Sequence, residues 1–503
     1  MSNGPYDLLI IGGGINGAGI ARDAAGRGLR VLLVERDDLA NGTSSRSSKL
    51  VHGGLRYLEQ YEFRLVREAL AEREVLLSIA PHVTRPLTFV LPHDSGLRPA
   101  WMIRAGLFLY DHLAKRSRLP GSRSLDLGRA PEGKPLKPVF RRGFAYSDCW
   151  VDDSRLVVLN AIDAHERGAV IRPRCRFLSA TPENGLWAAR IRPVGNEPET
   201  VLARVLVNAA GPWVEQVLHD GLHLPRPRNL RLVKGSHIVV PRLYPGEQAY
   251  ILQNPDRRVV FVIPFEQRFT LIGTTDIPFD GDPAQVAISA EETAYLCDAA
   301  SRFLTIPVRP AEVAWAYSGV RPLYDDASAD PSTITRDYVF DIMAGEGGPP
   351  VLSVFGGKIT TYRRLAEHAL AKLRPLLPAH NGPWTSHAPL PGGDVPGGDC
   401  TAFAATLQSG APWLPAELAR RLARTYGTRA ERLLQGASGL ADLGRDLGAG
   451  LTEREVAYLV EHEWARTADD ILWRRSKLGL AGDAALGSRL DDYLAAKVNM
   501  TAR

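Results

Sequence analysis

Cysteine is scarce. Four residues in 503, Cys149, Cys175, Cys297 and Cys400, stand far apart and form no Cys-x-x-Cys pair. Such spacing excludes a zinc ribbon or a thiolate-held iron–sulfur cluster and suits a reducing compartment. No metal ligands are expected. Long hydrophobic runs are missing too. No stretch of about 18 residues is both apolar and free of charge, so no segment is expected to cross a bilayer. The apolar run "LLIIGGGINGAGIA" follows the start "MSNGPYD", which has no basic residue, so a signal peptide is not expected. No tract interleaves aromatic and basic residues, and nucleic acid is not an expected partner. Internal repeats and low-complexity segments are absent.

What is present is ordinary for a soluble globular protein: 45% hydrophobic and 23% charged residues. The length is large for one apolar core, and two or three domains are expected. Lys and Arg number 61 against 56 Asp and Glu, a net charge of +5. That mild excess suits an anionic substrate, an anionic cofactor or an anionic membrane face.

The first strong motif lies in "YDLLIIGGGINGAGIARDAAGRGLRVLLVERDD". Residues 8–11 read as a buried strand, 15–27 as a helix ended by Gly28, and 31–34 as a second strand closing on Glu35. Gly12-x-Gly14-x-x-Gly17 sits between strand and helix, and this context makes it a dinucleotide-binding turn. Gly12 permits the tight turn. Gly14 lets backbone approach a pyrophosphate, and Gly17 lets the helix pack on the strand. Ile15 and Asn16 open the helix, whose free N–H groups and positive dipole end favour phosphate. Glu35 is placed to accept from ribose hydroxyls, with Arg36 beside it. A carboxylate there disfavours a 2′-phosphate.

Either FAD or NAD fits such a unit. The next stretch, "TSSRSSKLVHGGLRYLE" (residues 43–59), favours a flavin. Its hydroxyls and open backbone suit a pyrophosphate and a ribityl chain, and Gly53-Gly54 lets backbone lie against a flat ring.

These segments, with "EFRLVREALAERE", "YSDCWVDDSRL", "VNAAGPWV", "KGSHIVVPR", "IGTTD", "YSGVRPL" and "VFGGKITTYRRLAEHAL", follow one another as in the FAD-dependent glycerol-3-phosphate dehydrogenases. The chain resembles the aerobic bacterial type from about Tyr6 to its C-terminus. The resemblance implies an α/β and α+β fold like that of glycine and D-amino-acid oxidases. A Rossmann-like FAD domain (1–80, 145–232 and 318–386), an antiparallel-sheet substrate or cap domain (81–144 and 233–317) and a C-terminal helical domain (387–503) are expected. Short β-rich runs within 233–273 agree with a sheet. The Pro/Gly-rich linker at 387–399 precedes helical patterning, and "TEREVAYLVEHEWA" opens with Thr452 and Glu455 at capping-box spacing. The "EHEW" run within it reads as a solvated helix face, not a metal site.

The resemblance further implies oxidation of sn-glycerol 3-phosphate to dihydroxyacetone phosphate, with hydride passing to FAD and electrons to ubiquinone or menaquinone. It implies a peripheral enzyme on the cytoplasmic face of the inner membrane, and a homodimer. For the flavin, the candidate contacts are Thr43, Ser44, Ser45, Ser48, Lys49, Leu50, His52, Gly53, Gly54, Ala210, Gly211, Gly356, Gly357, Lys358, Ile359 and Thr360. Non-covalent flavin is expected, with His52 orienting the ring. For a phosphate dianion, guanidinium groups donate in pairs. Arg56, Arg321 and Arg336 are the candidates, with Tyr57 as a phenolic donor. Their competing role is an ion pair with a local carboxylate such as Glu59 or Asp337. His237 is the candidate base, since imidazole takes and releases protons near neutral pH. Lys358 would stabilise negative charge on reduced flavin or substrate alkoxide. Arg46 receives no role. Residues 101–118, "WMIRAGLFLYDHLAKRSR", read equally as a lipid-facing helix with a basic end or a buried one.

Residue types leave the oxidant open. A rival is an oxidase giving hydrogen peroxide, although the insertion usual in that branch is absent. The anaerobic branch carries a cysteine-rich C-terminal module that this chain lacks. A flavoprotein that binds a partner or membrane without turnover is the reading from another class, and the presence of Arg56, Arg321 and His237 counts against it.

Overall fold

The glycine-rich turn read from the sequence joins strand Tyr6–Ile11 to helix Ile15–Gly26. The computed structural model describes residues 4–94, 96, 98–225, 230–324, 337–343 and 348–501, with side chains up to Lys497. Tyr6–Ile11 lies between strands Val31–Val34 and Glu199–Asn208, parallel to both. Strands Val170–Arg172 and Val351–Phe355 continue the parallel order on either side. Helices Ile15–Gly26, Asp153–Glu166 and Tyr362–Leu373 pack on one face. The other face is covered around the hairpin of strands Cys175–Glu183 and Leu186–Pro193. A sheet covered on both faces needs continuous apolar strands, and Leu8 to Ile11 and Val31 to Val34 are all buried.

Among the described residues the second sheet has ten strands. Strand Leu230–Pro241 lies next to one edge, antiparallel to Phe269–Gly273 on one side and to the edge strand Trp315–Tyr324 on the other. Strand Thr84–His93 pairs with Ala249–Gln253 and with Arg142–Val151, and Leu50–Val51 pairs with the latter. The expected boundaries therefore shift. Residues 145–151, 230–232 and 318–324, assigned above to the cofactor-binding part, are hydrogen-bonded into the larger sheet. Strands Arg142–Val151, Leu230–Pro241 and Trp315–Tyr324 each pair within this sheet alone, so the crossings to the parallel sheet fall outside the strands.

From Cys400 onward the chain is helical, with its own apolar core. Thr452 caps helix Glu453–His462 by accepting from the Glu455 N–H. The Glu455 carboxylate does not close the expected box. It turns inward and accepts from Arg421 (2.6 and 2.7 Å) and from the Tyr426 hydroxyl (2.8 Å). Glu463, expected on a solvated face, is buried and chelated by Arg155.

A buried ion cluster fastens this helical part to the dinucleotide unit. Arg475 donates through both terminal nitrogens to Asp38 (2.8 Å each), and Arg474 Nε donates to the same carboxylate (2.6 Å). Asp38, Arg474 and Arg475 are all buried. Removing one partner from such a cluster leaves uncompensated charge in low dielectric. Asp38→Ala leaves Arg475 with only the Glu463 carbonyl (2.7 Å) and its carboxylate at 3.7 Å, while Arg474 keeps Asp469 and Asp470, and is expected to destabilise by about 3 kcal/mol. Urea unfolding of the flavin-loaded protein checks this, and an unchanged midpoint would refute the role of the cluster.

Candidate active site

A cavity of about 870 Å³ runs between the two sheets. That volume lies near the top of the roughly 300–1,000 Å³ usual for small-molecule sites. One end is the dinucleotide turn. A Cβ on Gly12 would sit 2.5 Å from the Ala209 carbonyl oxygen, and one on Gly17 would sit 1.9 Å from the Gly12 carbonyl oxygen. Only glycine allows the turn, the adjacent strand end and the helix to close this tightly. Glu35 is fixed by N–H donors from Gly13 (2.6 Å) and Asp37 (2.9 Å) and lines the cavity. Each oxygen keeps a further lone pair for a ribose hydroxyl. Burial raises its pKa, while the two N–H bonds pull it down.

The hydroxyl-rich stretch is folded against the helix start. Ser44 Oγ accepts from the Ile15 N–H (2.9 Å), and Thr43 Oγ1 donates to the Val320 carbonyl (2.6 Å). Asn16 Nδ2 donates to the Gly356 carbonyl (3.1 Å), while its Oδ1 is buried with no hydrogen-bond partner among the described residues. The His52 N–H donates to Thr360 Oγ1 (3.3 Å). Gly12, Gly14, Ile15, Asn16, Glu35, Arg36, Thr43, Ser44, Ser48, Leu50, His52, Gly54, Ala210, Gly211, Gly356, Gly357, Lys358, Ile359 and Thr360 all line the cavity. Open backbone at the helix start, the ribose-suited carboxylate and an orphaned amide oxygen fit an extended dinucleotide.

Four expected contacts lie elsewhere, and one of them, Gly17, serves only the close approach of helix to turn. Lys49 is fully buried, with Nζ donating to both Asp153 oxygens (2.9 and 3.0 Å) and to the Ser45 carbonyl (3.2 Å). Its charge is neutralised inside the fold, so it is not a cofactor contact. Ser45 and Gly53 also lie outside the cavity lining, the latter because its N–H donates to the buried Tyr110 hydroxyl (2.8 Å). Arg336 falls outside the described residues.

At the other end, strand Leu230–Pro241 brings His237 to the cavity. Its Nε2 lies 2.8 Å from Ser48 Oγ, and its buried Nδ1 has no hydrogen-bond partner among the described residues. Burial, then the positive Lys49 and Arg321, hold the imidazole pKa down at about 3, so the ring is neutral at working pH. Arg321 Nη2 donates to Asp276 Oδ1 (2.8 Å) and to the Thr275 carbonyl (3.1 Å), among other contacts. The carboxylates named above as alternatives go to other arginines: Glu59 pairs with Arg98, and Asp337 with Arg64. Lys358 Nζ stands 4.2 Å from the Tyr57 ring centroid, and Arg56 and Tyr57 line the same space.

Several lining groups escape the sequence reading. Trp213 carries the Arg36 guanidinium 4.0 Å from its ring centroid, and Asp276 faces Arg321. The "GPW" and "IGTTD" segments held both, but nothing in either gave direction to the side chain.

A dinucleotide cleft roofed by an antiparallel sheet, with neutral imidazole and cations at the roofed end, defines an oxidoreductase of the flavin class. The family described as FAD dependent oxidoreductase matches residues 7–363, and the C-terminal domain of alpha-glycerophosphate oxidase matches 383–493. Glycerol-3-phosphate dehydrogenase from Pseudomonas aeruginosa is 59% identical over 97% of this chain and 95% of its own. D-erythritol 1-phosphate dehydrogenase from Brucella abortus is 55% identical over 94% of each chain. The crystal structure of Bacillus halodurans glycerol-3-phosphate dehydrogenase complexed with FAD superimposes with a TM-score of 0.74 at 28% identity, over 99% of this chain and 96% of that one. The chain belongs to the family of FAD-dependent glycerol-3-phosphate dehydrogenases, and its cofactor is FAD.

Proposed function

We propose that the protein oxidises the C2 alcohol of sn-glycerol 3-phosphate to dihydroxyacetone phosphate and passes the electrons to a membrane quinone, ubiquinone or menaquinone. The observation that carries this is the meeting of Arg56, Arg321 and Lys358 with His237 in the cavity that also contains the dinucleotide turn. Bound FAD supplies the hydride acceptor. Arg321 and Arg56 take the phosphate dianion, and Asp276 keeps Arg321 extended until the phosphate arrives. Neutral His237 accepts the hydroxyl proton, and substrate charge on Arg321 removes part of the repulsion that depresses its basicity. Lys358, over the Tyr57 ring, balances the alkoxide that develops. A second reading, D-erythritol 1-phosphate as substrate, rests on the 55% identical relative. The same phosphate clamp serves both, and the length of the polyol separates them.

No helix among the described residues is long and apolar enough to cross a membrane. Helix Ala100–His112 buries only Leu107 and Tyr110 and exposes Trp101 (70%) and Phe108 (58%). The exposed apolar face supports the lipid-facing reading of this segment, with peripheral attachment at the cytoplasmic face of the inner membrane. Of its basic end, Arg116 is paired with Asp111. A homodimer completes the proposal by family likeness.

Arg321→Ala is expected to raise KM for sn-glycerol 3-phosphate by about 10- to 100-fold, the worth of a charge-assisted contact. His237→Asn is expected to lower kcat by about 10²-fold or more with KM little changed. Steady-state assays with a quinone analogue check both, and peroxide formed in place of quinol would favour the oxidase. The wild type should show a higher kcat/KM for sn-glycerol 3-phosphate than for D-erythritol 1-phosphate, and the reverse order would move the substrate assignment. Trp101→Ser with Phe108→Ser should release the protein from anionic vesicles on co-sedimentation. Unchanged binding would remove this helix from the account.

A further inference from the structure

Four aromatic rings form a column from the active site to the C-terminal helical part, its two outer contacts stacked and its middle one tilted by 42°. His237 stacks on Tyr317 (centroids 4.9 Å, 17° between planes). Tyr317 meets Trp315 (4.8 Å), and Trp315 stacks on Trp473 (4.5 Å, 24°). The first three rings stand on paired strands, with His237 opposite Tyr317 in the register. Trp473 comes from the segment Asp470–Arg475.

Both ends of the column are braced. On its far side His237 lies against Gly273, where a Cβ would sit 2.1 Å from the imidazole Cδ2. The Tyr317 hydroxyl donates to the Ser47 carbonyl (2.8 Å), and Lys49 Nζ lies 5.1 Å from the Tyr317 centroid. Trp473 rests on Gly479, where a Cβ would come within 2.6 Å of the indole. Its neighbours Arg474 and Arg475 hold Asp38 of the dinucleotide unit. Imidazole can slide or tilt toward the column only if the rings behind it give way, and the last of those rings stands beside two arginines anchored by ion pairs.

We propose that Trp473 is a positioning residue for His237: the C-terminal helical part sets the orientation of the proton acceptor through the Trp473–Trp315–Tyr317 column. This rests on the reading of His237 as the base. Offset stacking prefers defined geometry, and a reacting group displaced by about 1 Å can lose up to about 10²-fold in rate.

The test is a double-mutant cycle on the FAD-loaded, full-length protein, read by anaerobic flavin reduction at saturating sn-glycerol 3-phosphate. Trp473→Ala should slow reduction about tenfold with KM within about twofold of the parent, whereas Trp473→Phe should retain most of the rate. In a His237→Asn background Trp473→Ala should add nothing. An equal loss in both backgrounds, or no loss with His237 present, overturns the proposal. If Trp473→Ala does not retain flavin, Trp473→Leu and Trp315→Leu run the same cycle with smaller volume loss. A His237→Asn protein that reduces flavin at the parental rate overturns the base assignment itself, a failure visible before Trp473 is altered.

Discussion

A buried ammonium–carboxylate pair, Lys49 with Asp153, carries the arrangement of the site. Both side chains are fully buried. Burial alone pushes the Lys49 pKa down, and Asp153 opposes it most strongly. The pair is tolerable in low dielectric because each charge is satisfied by several short bonds, including one from the Ser47 hydroxyl to Asp153 (2.7 Å). Its effect is positional. Asp153 opens a helix of the dinucleotide domain, so the pair pins residues 43–49 between the two sheets. From that fixed segment Ser44 meets the first helix, Ser47 meets Tyr317 and Ser48 meets His237. Cofactor and substrate ends of the cavity are thus set by one short run of chain.

The same logic governs the charges at the substrate end. Burial first, then the nearby cations Lys49 and Arg321, depress the imidazole of His237. Asp276 pairs with Arg321 at 2.8 Å. Under the proposed reading, a substrate phosphate would have to compete with that carboxylate, which would favour a doubly charged anion over weaker ones.

Much of this was legible in the sequence. The glycine turn, Glu35 and the flanking buried strands announced themselves because spacing and apolar pattern are local properties. His237, Arg56, Arg321 and Lys358 were legible as residue types beside small-residue turns, and the fold brings all four to one cavity. Direction was not legible. Lys49 stands among hydroxyls that face the cofactor space, yet its side chain turns to a partner 104 positions away. The sheet boundaries were hidden because nothing in the composition of strands Arg142–Val151 and Trp315–Tyr324 says which sheet they join, and only their pairing assigns them to the larger one. The aromatic column was invisible because its rings come from two strands and a distant helical segment.

The central claim is that this cavity joins a phosphate clamp to a proton acceptor beside FAD. Anaerobic mixing of the flavin-loaded protein with sn-glycerol 3-phosphate tests it most directly, with glycerol as the comparison. The account predicts saturable bleaching of the flavin by the phosphate ester and almost none by glycerol. No bleaching by the ester, or equal bleaching by both, would contradict it.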